Sequence, residues 1–595
     1  GLTHPKRYTG NFEGVFMETI NDLGSYTFPA MLANSLKKFG DRPAVAFASG
    51  KPITYAEVGE RIRAARNLLW SLGVERGDRV AIYGGSSPSW GIAYFAVVSL
   101  GAIAVPLLPD FNAKEVDTCL AHSGATALIV SDRLTDRVSA ASRSAMRLIV
   151  RLDDLLPVFG APIRTGEADN VRVAEDDTAS IIYTSGTTGR SKGVELSHKN
   201  LIFTAIGGQY FQRINKFDVG LSILPMSHVY EFTIGYLMFF LNGACVYYLE
   251  KPPTVTSLLP ALKAVRPTIM LSVPIIMEKI YKNKIVPTFT TRPLVRALYK
   301  LPPFRVIFHR IAGKSLRKTF GGRIKFFGIG GSKVDPVVER FLKEAKFPYA
   351  IGYGLTESSP LLGGAGPKAT IPGCIGVGMP GIELKVYDPD PVTDVGELVV
   401  KGPNVMKGYY RDPEMTASAY TPDGWFRTGD LCTMKGRRAI ISLKGRSKNM
   451  ILGATGENIY PEDIEFVLNQ HPFVAESLVI EGENRSLVAL VQIDEERLAA
   501  EAKRRALAEN GQIHAMTEAM GTAMNEAARE MSNMFAYKRE ELMNEIKFFV
   551  NENVNRFSRI DRVEPVEQFE KTASQKIKRY LYTIQGSMKG KQGSR

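Results

Sequence analysis

Tyr183-Thr-Ser-Gly-Thr-Thr-Gly-Arg-Ser-Lys-Gly-Val-Glu-Leu-Ser-His198 is the stretch around which the rest of this chain is organised. Before it, Thr178-Ala-Ser-Ile-Ile-Tyr183 is apolar and β-branched and reads as a short buried strand. After it, Lys199-Asn-Leu-Ile-Phe-Thr-Ala-Ile opens a helical pattern. Between them lie three glycines (Gly186, Gly189, Gly193), four hydroxyl side chains (Thr184, Ser185, Thr187, Thr188) and Lys192. Glycines let backbone N–H groups close around an anion, and the hydroxyls and Lys192 add donors, so the loop has the makings of a phosphate cradle. It is not the G-x-x-x-x-G-K-[ST] loop of common NTPases, because Gly193 follows Lys192 where a magnesium-holding Ser or Thr would stand.

At 595 residues the chain exceeds one hydrophobic core and divides into two or more domains. With 45% hydrophobic and 23% charged residues it is neither disordered nor fibrous. The net charge of +14 fits nucleic acid, a membrane surface, or polyanionic substrates such as ATP and coenzyme A. No RNA- or DNA-reading module is present in the sequence, which leaves the last two. The four cysteines (Cys119, Cys245, Cys374, Cys432) match no metal spacing and read as reduced cytosolic thiols. Gly1 to Tyr8 has no apolar h-region, so no signal peptide is expected. The longest apolar run, Phe232 to Leu249, is broken by Asn242-Gly243 and reads as a buried helix followed by a strand, not a membrane span.

Strands are expected at Pro43–Phe47, Arg79–Tyr83, Ala127–Val130, Thr268–Leu271 and Ile324–Gly328, with a capped helix opening at Thr54-Tyr-Ala-Glu. Tyr94 to Val105 reads as helix, Gly stop, strand, and Tyr236 to Tyr247 repeats the design with the same Tyr to Gly-Ala spacing. Two related α/β layers follow, each a mostly parallel sheet flanked by helices. From about 382 the strands Glu383–Tyr387, Gly396–Val400 and Arg438–Ser442 suggest a smaller mixed sheet. After Lys444-Gly-Arg-Ser-Lys448 come a helix at Pro461–Leu468 and strands at Ala475–Ile480 and Ser486–Gln492. Residues 495–550 read as a charged helical excursion with a stripe of Met516, Met520, Met524, Met531 and Met534, and the tail after Ser587 as disordered.

The opening stretch resembles the nucleotide loop of the adenylate-forming enzymes: acyl-CoA synthetases, peptide-synthetase adenylation domains and luciferases. Ser191 stands where that family usually has Pro. Further motifs follow in the family's order. Leu224-Pro-Met-Ser-His-Val-Tyr230 resembles the segment bordering the acyl pocket, which implies a role for His228 near the carboxylate. Gly328-Ile-Gly-Gly-Ser332 and Gly352-Tyr-Gly-Leu-Thr-Glu-Ser358 resemble the adenine and magnesium wall. They supply Gly330, Gly331, Ser332, Gly352, Gly354, Tyr353 to stack a purine, Thr356 for a phosphate oxygen and Glu357 as a hard oxygen ligand for Mg²⁺. Asp423-Gly-Trp-Phe-Arg-Thr-Gly-Asp430 implies ribose binding by Asp430, with Arg446 reaching ribose or phosphate, Lys448 as hinge, and Gly456 beside the pantetheine arm of coenzyme A. Lys571-Thr-Ala-Ser-Gln-Lys-Ile-Lys-Arg579 resembles the C-terminal lysine motif with Lys576 in the catalytic place; Gln575 and Asn555-Arg-Phe-Ser-Arg-Ile-Asp-Arg562 are similar to the long-chain acyl-CoA synthetases.

The resemblance covers roughly residues 25–582. It implies an α/β fold: a large N-terminal domain (1–446) of two α/β layers plus a smaller mixed sheet, then a small mobile α+β C-terminal domain (447–595). The implied catalytic residues are Lys576, Thr184, Glu357 and His228, and the loop residues Thr184, Ser185, Gly186, Thr187, Thr188 and Lys192 bind nucleotide. The implied activity is a cytoplasmic fatty acyl-CoA synthetase using Mg²⁺, ATP, a medium or long fatty acid and coenzyme A, with no nucleic-acid partner and oligomeric state left open. An acyl-AMP ligase loading a carrier protein and a silent acyl or nucleotide binder are the alternatives. No Asp lies in 224–234, only Glu231, which disfavours an amino-acid substrate. Residues 292–318 carry eight basic and no acidic residues among apolar ones, which fits a solvated basic face, a site for the phosphates of coenzyme A, or peripheral contact with an anionic bilayer on the inner membrane face.

Overall fold

The structure is a computed structural model and describes residues 22–168, 171–185, 191–453, 457–501, 524–572 and 576–582; for Ser185, Ser191, Asn484 and 524–538 it describes the backbone alone. The chain forms two compact units. The first comprises Gly1–Thr428 with Cys432–Leu443, and the second Gly429–Leu431 with Lys444–Arg595.

Two large sheets and one small one make up the first unit. The eight-stranded sheet runs, edge to edge, Gly408–Tyr409, Ser191–Ser197, Thr178–Ser185, Ile103–Leu107, Arg79–Tyr83, Ala127–Val130, Leu148–Arg151 and Pro157–Phe159. The nine-stranded sheet has Ile269–Ser272, Phe326–Ile329 and Tyr349–Gly354 side by side and parallel. A four-stranded sheet contains Glu383–Tyr387 paired antiparallel with Gly396–Lys401.

The repeated helix–Gly–strand design occurs once in each large sheet. Pro88–Ser99 leads through Gly101 (φ +66°) into Ile103–Leu107, and the helix ending at Leu241 leads through Gly243 (φ +69°) into Cys245–Tyr248. Ser87 caps the first helix by accepting from the Trp90 N–H at 3.2 Å, and Pro88 at its first turn needs no donor. Its residues from Trp90 to Ser99 are all buried, as an all-round apolar helix must be. The two helices meet through Phe95 stacked on Tyr236 (centroids 5.4 Å apart) and tilted against Phe240 (5.0 Å). Gly91 allows the approach, since a Cβ there would come within 2.5 Å of the Tyr236 hydroxyl. The second helix differs from expectation in one respect: Glu231–Leu237 is wound as a π-helix.

Further expectations stand within a residue or two. Thr54 and Glu57 form the capping box, with Thr54 Oγ1 accepting from the Glu57 N–H at 3.2 Å and Glu57 Oε2 from the Thr54 N–H at 2.6 Å. The expected strands at 268–271 and 324–328 are found at Ile269–Ser272 and Phe326–Ile329. All four cysteines are free. No helix among the described residues is long and apolar enough to cross a membrane.

The second unit has a three-stranded sheet: Val474–Glu481 antiparallel to Leu487–Ile493, and Arg562–Val566 parallel to the latter. The 495–550 segment is corrected in part. Its last turns, in helix Met524–Asn553, bury Leu542, Met543, Ile546 and Val550 against Ile464, Leu468 and Val491, so they form the unit's core and are no excursion. The methionine stripe lies outside the described residues or side chains.

Candidate active site

In the first unit the glycine-rich stretch is a hairpin whose arms are Thr178–Ser185 and Ser191–Ser197, with Thr184 opposite Lys192. The tip residues Gly186, Thr187 and Thr188 lie outside the described residues. The returning arm is pinned on its outer side by the edge strand Gly408–Tyr409, where Tyr409 faces Val194 in register and the Tyr410 N–H donates to the Gly193 carbonyl at 2.7 Å. Gly193 is needed there, because a Cβ would sit 2.9 Å from Ile181.

That edge strand links two sites the sequence left separate. Lys192 Nζ stands 5.1 Å from the centroid of the Tyr409 ring, a cation–π distance. The Tyr409 hydroxyl donates to Glu357 Oε1 at 2.9 Å across a sequence separation of 52. The Glu357 carbonyl in turn accepts from the Met406 N–H at 2.8 Å. Two buried asparagines hold the segment leading to Tyr409: Asn200 Nδ2 donates to the Pro403 and Val405 carbonyls at 2.7 and 3.0 Å, and Asn404 Nδ2 donates to the Leu361 carbonyl at 2.9 Å. Tyr409 therefore orients both the candidate loop lysine and the candidate metal-binding carboxylate. Sequence reasoning missed it because a two-residue edge strand has no periodicity to read.

The other wall lies at the carboxyl ends of parallel strands, where open α/β sheets bind ligands. Phe326–Ile329 delivers Gly330, Gly331 and Ser332; Tyr349–Gly354 delivers Gly352, Tyr353 and Gly354; and the turn Thr356–Ser358 carries Thr356 and Glu357. A Cβ at Gly330 would come within 3.0 Å of the Tyr230 ring, so the segment carrying His228 packs directly on this wall. His228 is half-buried, its carbonyl accepting from the Phe232 N–H at 3.0 Å at the start of the π-wound helix. A Cβ at Gly354 would fall 1.6 Å from the Pro360 carbonyl oxygen, which leaves glycine alone able to occupy that position. Tyr353 is 8% exposed, so little of its ring is open to a purine.

Glu231 is 2% exposed, its Oε2 has no hydrogen-bond partner, and burial pushes its carboxyl up to about 8. It lines a small cavity with Ser222, Gly235 and Met270. Burial therefore favours the uncharged form of this carboxyl.

The second unit brings together three further residues. Asp430, its side chain 9% exposed, accepts from Arg446 Nε at 2.8 Å. Lys576 sits on a hairpin in which Lys571 bridges Ile577 and the Thr572 N–H donates to the Lys576 carbonyl at 2.8 Å. The hairpin is anchored by Lys571 on Glu476 (2.7 Å) and by Arg579 on both oxygens of Glu465 (2.7 and 2.8 Å). Much of Lys576 reaches the surface, yet its ammonium group is held below the usual lysine range. Desolvation is the first cause and the Arg446 charge the second, with Asp430 acting in the opposite sense. Lys448 is exposed on the turn Ser447–Asn449 and does not join this group; Gly456 lies outside the described residues.

Glu357 fits a magnesium ion that arrives with its substrate. Among the described residues no set of three or more His, Cys, Asp or Glu could hold a metal, and Mg²⁺ is commonly bound by one or two carboxylates with phosphates and water completing its shell.

The chain belongs to the AMP-binding enzyme family, whose model matches residues 32–410, and the class it falls in is that of the adenylate-forming ligases. Within that family it is most like the long-chain fatty acyl-CoA synthetases. It is 30% identical over 477 residues to the long-chain-fatty-acid–CoA ligase FadD15 of Mycobacterium bovis, covering 75% of this chain and 78% of that one. It is 27% identical over 554 residues to the chloroplastic long-chain-fatty-acid–[acyl-carrier-protein] ligase AEE15 of Arabidopsis thaliana, covering 78% and 76%. The fold is that of the O-succinylbenzoate coenzyme A synthetase MenE from Bacillus subtilis, solved with AMP, at TM-score 0.70 and 21% identity over 93% of this chain and 97% of that one.

Proposed function

We propose that the protein is an ATP-dependent fatty acyl-CoA synthetase acting on a medium or long acid. The observation that carries the reading is the Lys192–Tyr409–Glu357 chain at the foot of the glycine-rich hairpin. It sets a cation and a hard oxygen ligand beside a phosphate cradle. The buried Glu231 supports a plain fatty acid over an amino acid. FadD15 is named for a long-chain fatty acid and coenzyme A, which supports the same choice.

In the first step the acid's carboxylate oxygen attacks the α-phosphorus of ATP, the bond to the bridging oxygen breaks, and pyrophosphate leaves with that electron pair. The loop donors Thr184, Ser185, Gly186, Thr187, Thr188 and Lys192 hold the phosphates, and Glu357 holds the Mg²⁺ that neutralises their charge. Gly330, Gly331, Ser332, Gly352, Tyr353, Gly354 and Thr356 form the nucleotide wall, and Asp430 with Arg446 holds the ribose. Lys576 stabilises charge developing on the transferred group. In the second step the coenzyme A thiolate attacks the acyl carbon and AMP leaves. His228 borders the carboxylate, Gly456 the pantetheine arm, and Lys448 is the hinge that lets domain 447–595 turn against 1–446 between the two steps.

AEE15 is named for an acyl-carrier-protein acceptor, so the acceptor is the finer point to test. The experiment measures AMP and thioester formation from Mg·ATP across acids from short to long, with and without coenzyme A. Acyl-CoA peaking at one chain length is expected. Acyl-AMP that accumulates while coenzyme A goes unused would transfer the reading to a carrier-protein ligase, and no AMP from any acid would overturn it.

A further inference from the structure

The protein's whole excess of positive charge sits in one stretch. Residues 279–334 hold 14 of the 75 lysines and arginines and none of the 61 acidic residues, which leaves the rest of the chain at 61 against 61. Within the first unit this stretch folds largely as helices, among them Pro293–Tyr299 and Pro302–Thr319.

Helix Pro302–Thr319 is apolar on two opposite sides. One side buries His309, Gly313 and Leu316, and Glu344 ties it down through Arg305 at 2.8 Å and His309 at 2.7 Å. At 3.6 residues per turn Phe304, Ile307 and Ile311 fall together on the other side, and they are 41%, 52% and 60% exposed. Leu294 and Leu301, just upstream, are 73% and 50% exposed. A helix on a globular domain ordinarily keeps its outer face polar. Here the long polar side chains on that outer face, Arg310, Lys314 and Lys318, are exposed and all cationic.

We propose that this face rests on an anionic lipid bilayer, with Phe304, Ile307 and Ile311 entering the headgroup region and the cations meeting lipid phosphates. Charge selects this occupant. A second copy of the chain docked through the same face would set seven like-charged residues of 292–318 (Arg305 being paired with Glu344) against their own duplicates. The apolar side chains stand along one helix face beside the exposed cations Arg310, Lys314 and Lys318, which is the pattern of helices lying in a membrane surface. The proposal stands on this surface alone and is independent of the ligase reading.

The test sediments the full chain with vesicles of pure phosphatidylcholine and with vesicles containing about a third phosphatidylglycerol, where each basic residue near the surface adds about fivefold to partitioning. Binding to the anionic vesicles is expected to exceed the other by about a hundredfold or more and to fall away at about 0.5 M salt. The triple variant Arg310→Gln, Lys314→Gln, Lys318→Gln is expected to lose roughly a hundredfold. The variant Phe304→Ser, Ile307→Ser, Ile311→Ser keeps the net charge and is expected to lose at least about tenfold. Because all six positions are exposed, unchanged thermal melting separates loss of docking from loss of fold. Equal binding to both vesicle types, or variants that bind anionic vesicles like the parent, would overturn the proposal. So would a dimer that these substitutions dissolve in the absence of any vesicle binding.

Discussion

In the first unit Lys192, Tyr409 and Glu357 are held by the backbone, whereas in the second Asp430, Arg446 and Lys576 act on one another by charge. Tyr409 is fixed by strand register with Val194 and by its N–H donating to Thr416 Oγ1 at 2.8 Å, and Glu357 by its carbonyl. Lys576, by contrast, has an ammonium group whose protonation depends on Arg446 and Asp430. Substitutions in the first group should therefore alter geometry, and those in the second should alter titration.

The contrast breaks most visibly at Lys576. Lys576→Ala is expected to lower acyl-AMP formation by about 10²–10³-fold while thioester formation from supplied acyl-AMP persists. Measuring both half-reactions separately checks this, and equal loss of the two would refute the assignment.

Next in size is an effect of burial. The Glu231 carboxyl is pushed up to about 8, against about 4.3 for an ordinary glutamate. Between those values the unfolded chain ionises and the native one stays protonated. Stability is thus full below the lower value and falls as pH rises toward the upper, by about 3 kcal/mol between pH 5 and 8. Glu231→Gln should flatten that slope in urea midpoints taken at successive pH values.

Tyr409→Phe removes one hydrogen bond to a charged group and should cost about tenfold in kcat/KM for Mg·ATP, with a higher magnesium requirement and no change in the pH profile. A shifted profile with unchanged magnesium demand would mean that Tyr409 tunes charge instead of position. The smallest expected effect is in the second unit: Arg446→Ala removes a repulsive charge from Lys576, so the alkaline limb of adenylation should move to higher pH. The readout is the position of the limb, not its height.

Much of this was legible locally. The glycine-rich hairpin, the Thr54–Glu57 capping box and the twin helix–Gly–strand units each declare themselves within a dozen residues, because turn chemistry and hydrophobic period are short-range signals. What stayed hidden was long-range. The Tyr409–Glu357 bond spans 52 residues, and the buried end of helix Met524–Asn553 only becomes core once Arg562–Val566 has joined the sheet beside Leu487–Ile493. The π-winding at Glu231–Leu237 also has no sequence period of its own.

The strand Pro43–Phe47 pairs in parallel with Cys245–Tyr248, with Val45 opposite Val246. At roughly 5–20 residues per second, a ribosome needs about 10–40 s to make the chain between them. Throughout that interval Pro43–Phe47 has only the two-residue strand Ile53–Thr54 beside it, and Phe95 is an aromatic ring without Tyr236 to stack on. The nascent first half therefore carries an open strand edge and uncovered aromatic surface until the second half arrives, and slower translation lengthens that exposure.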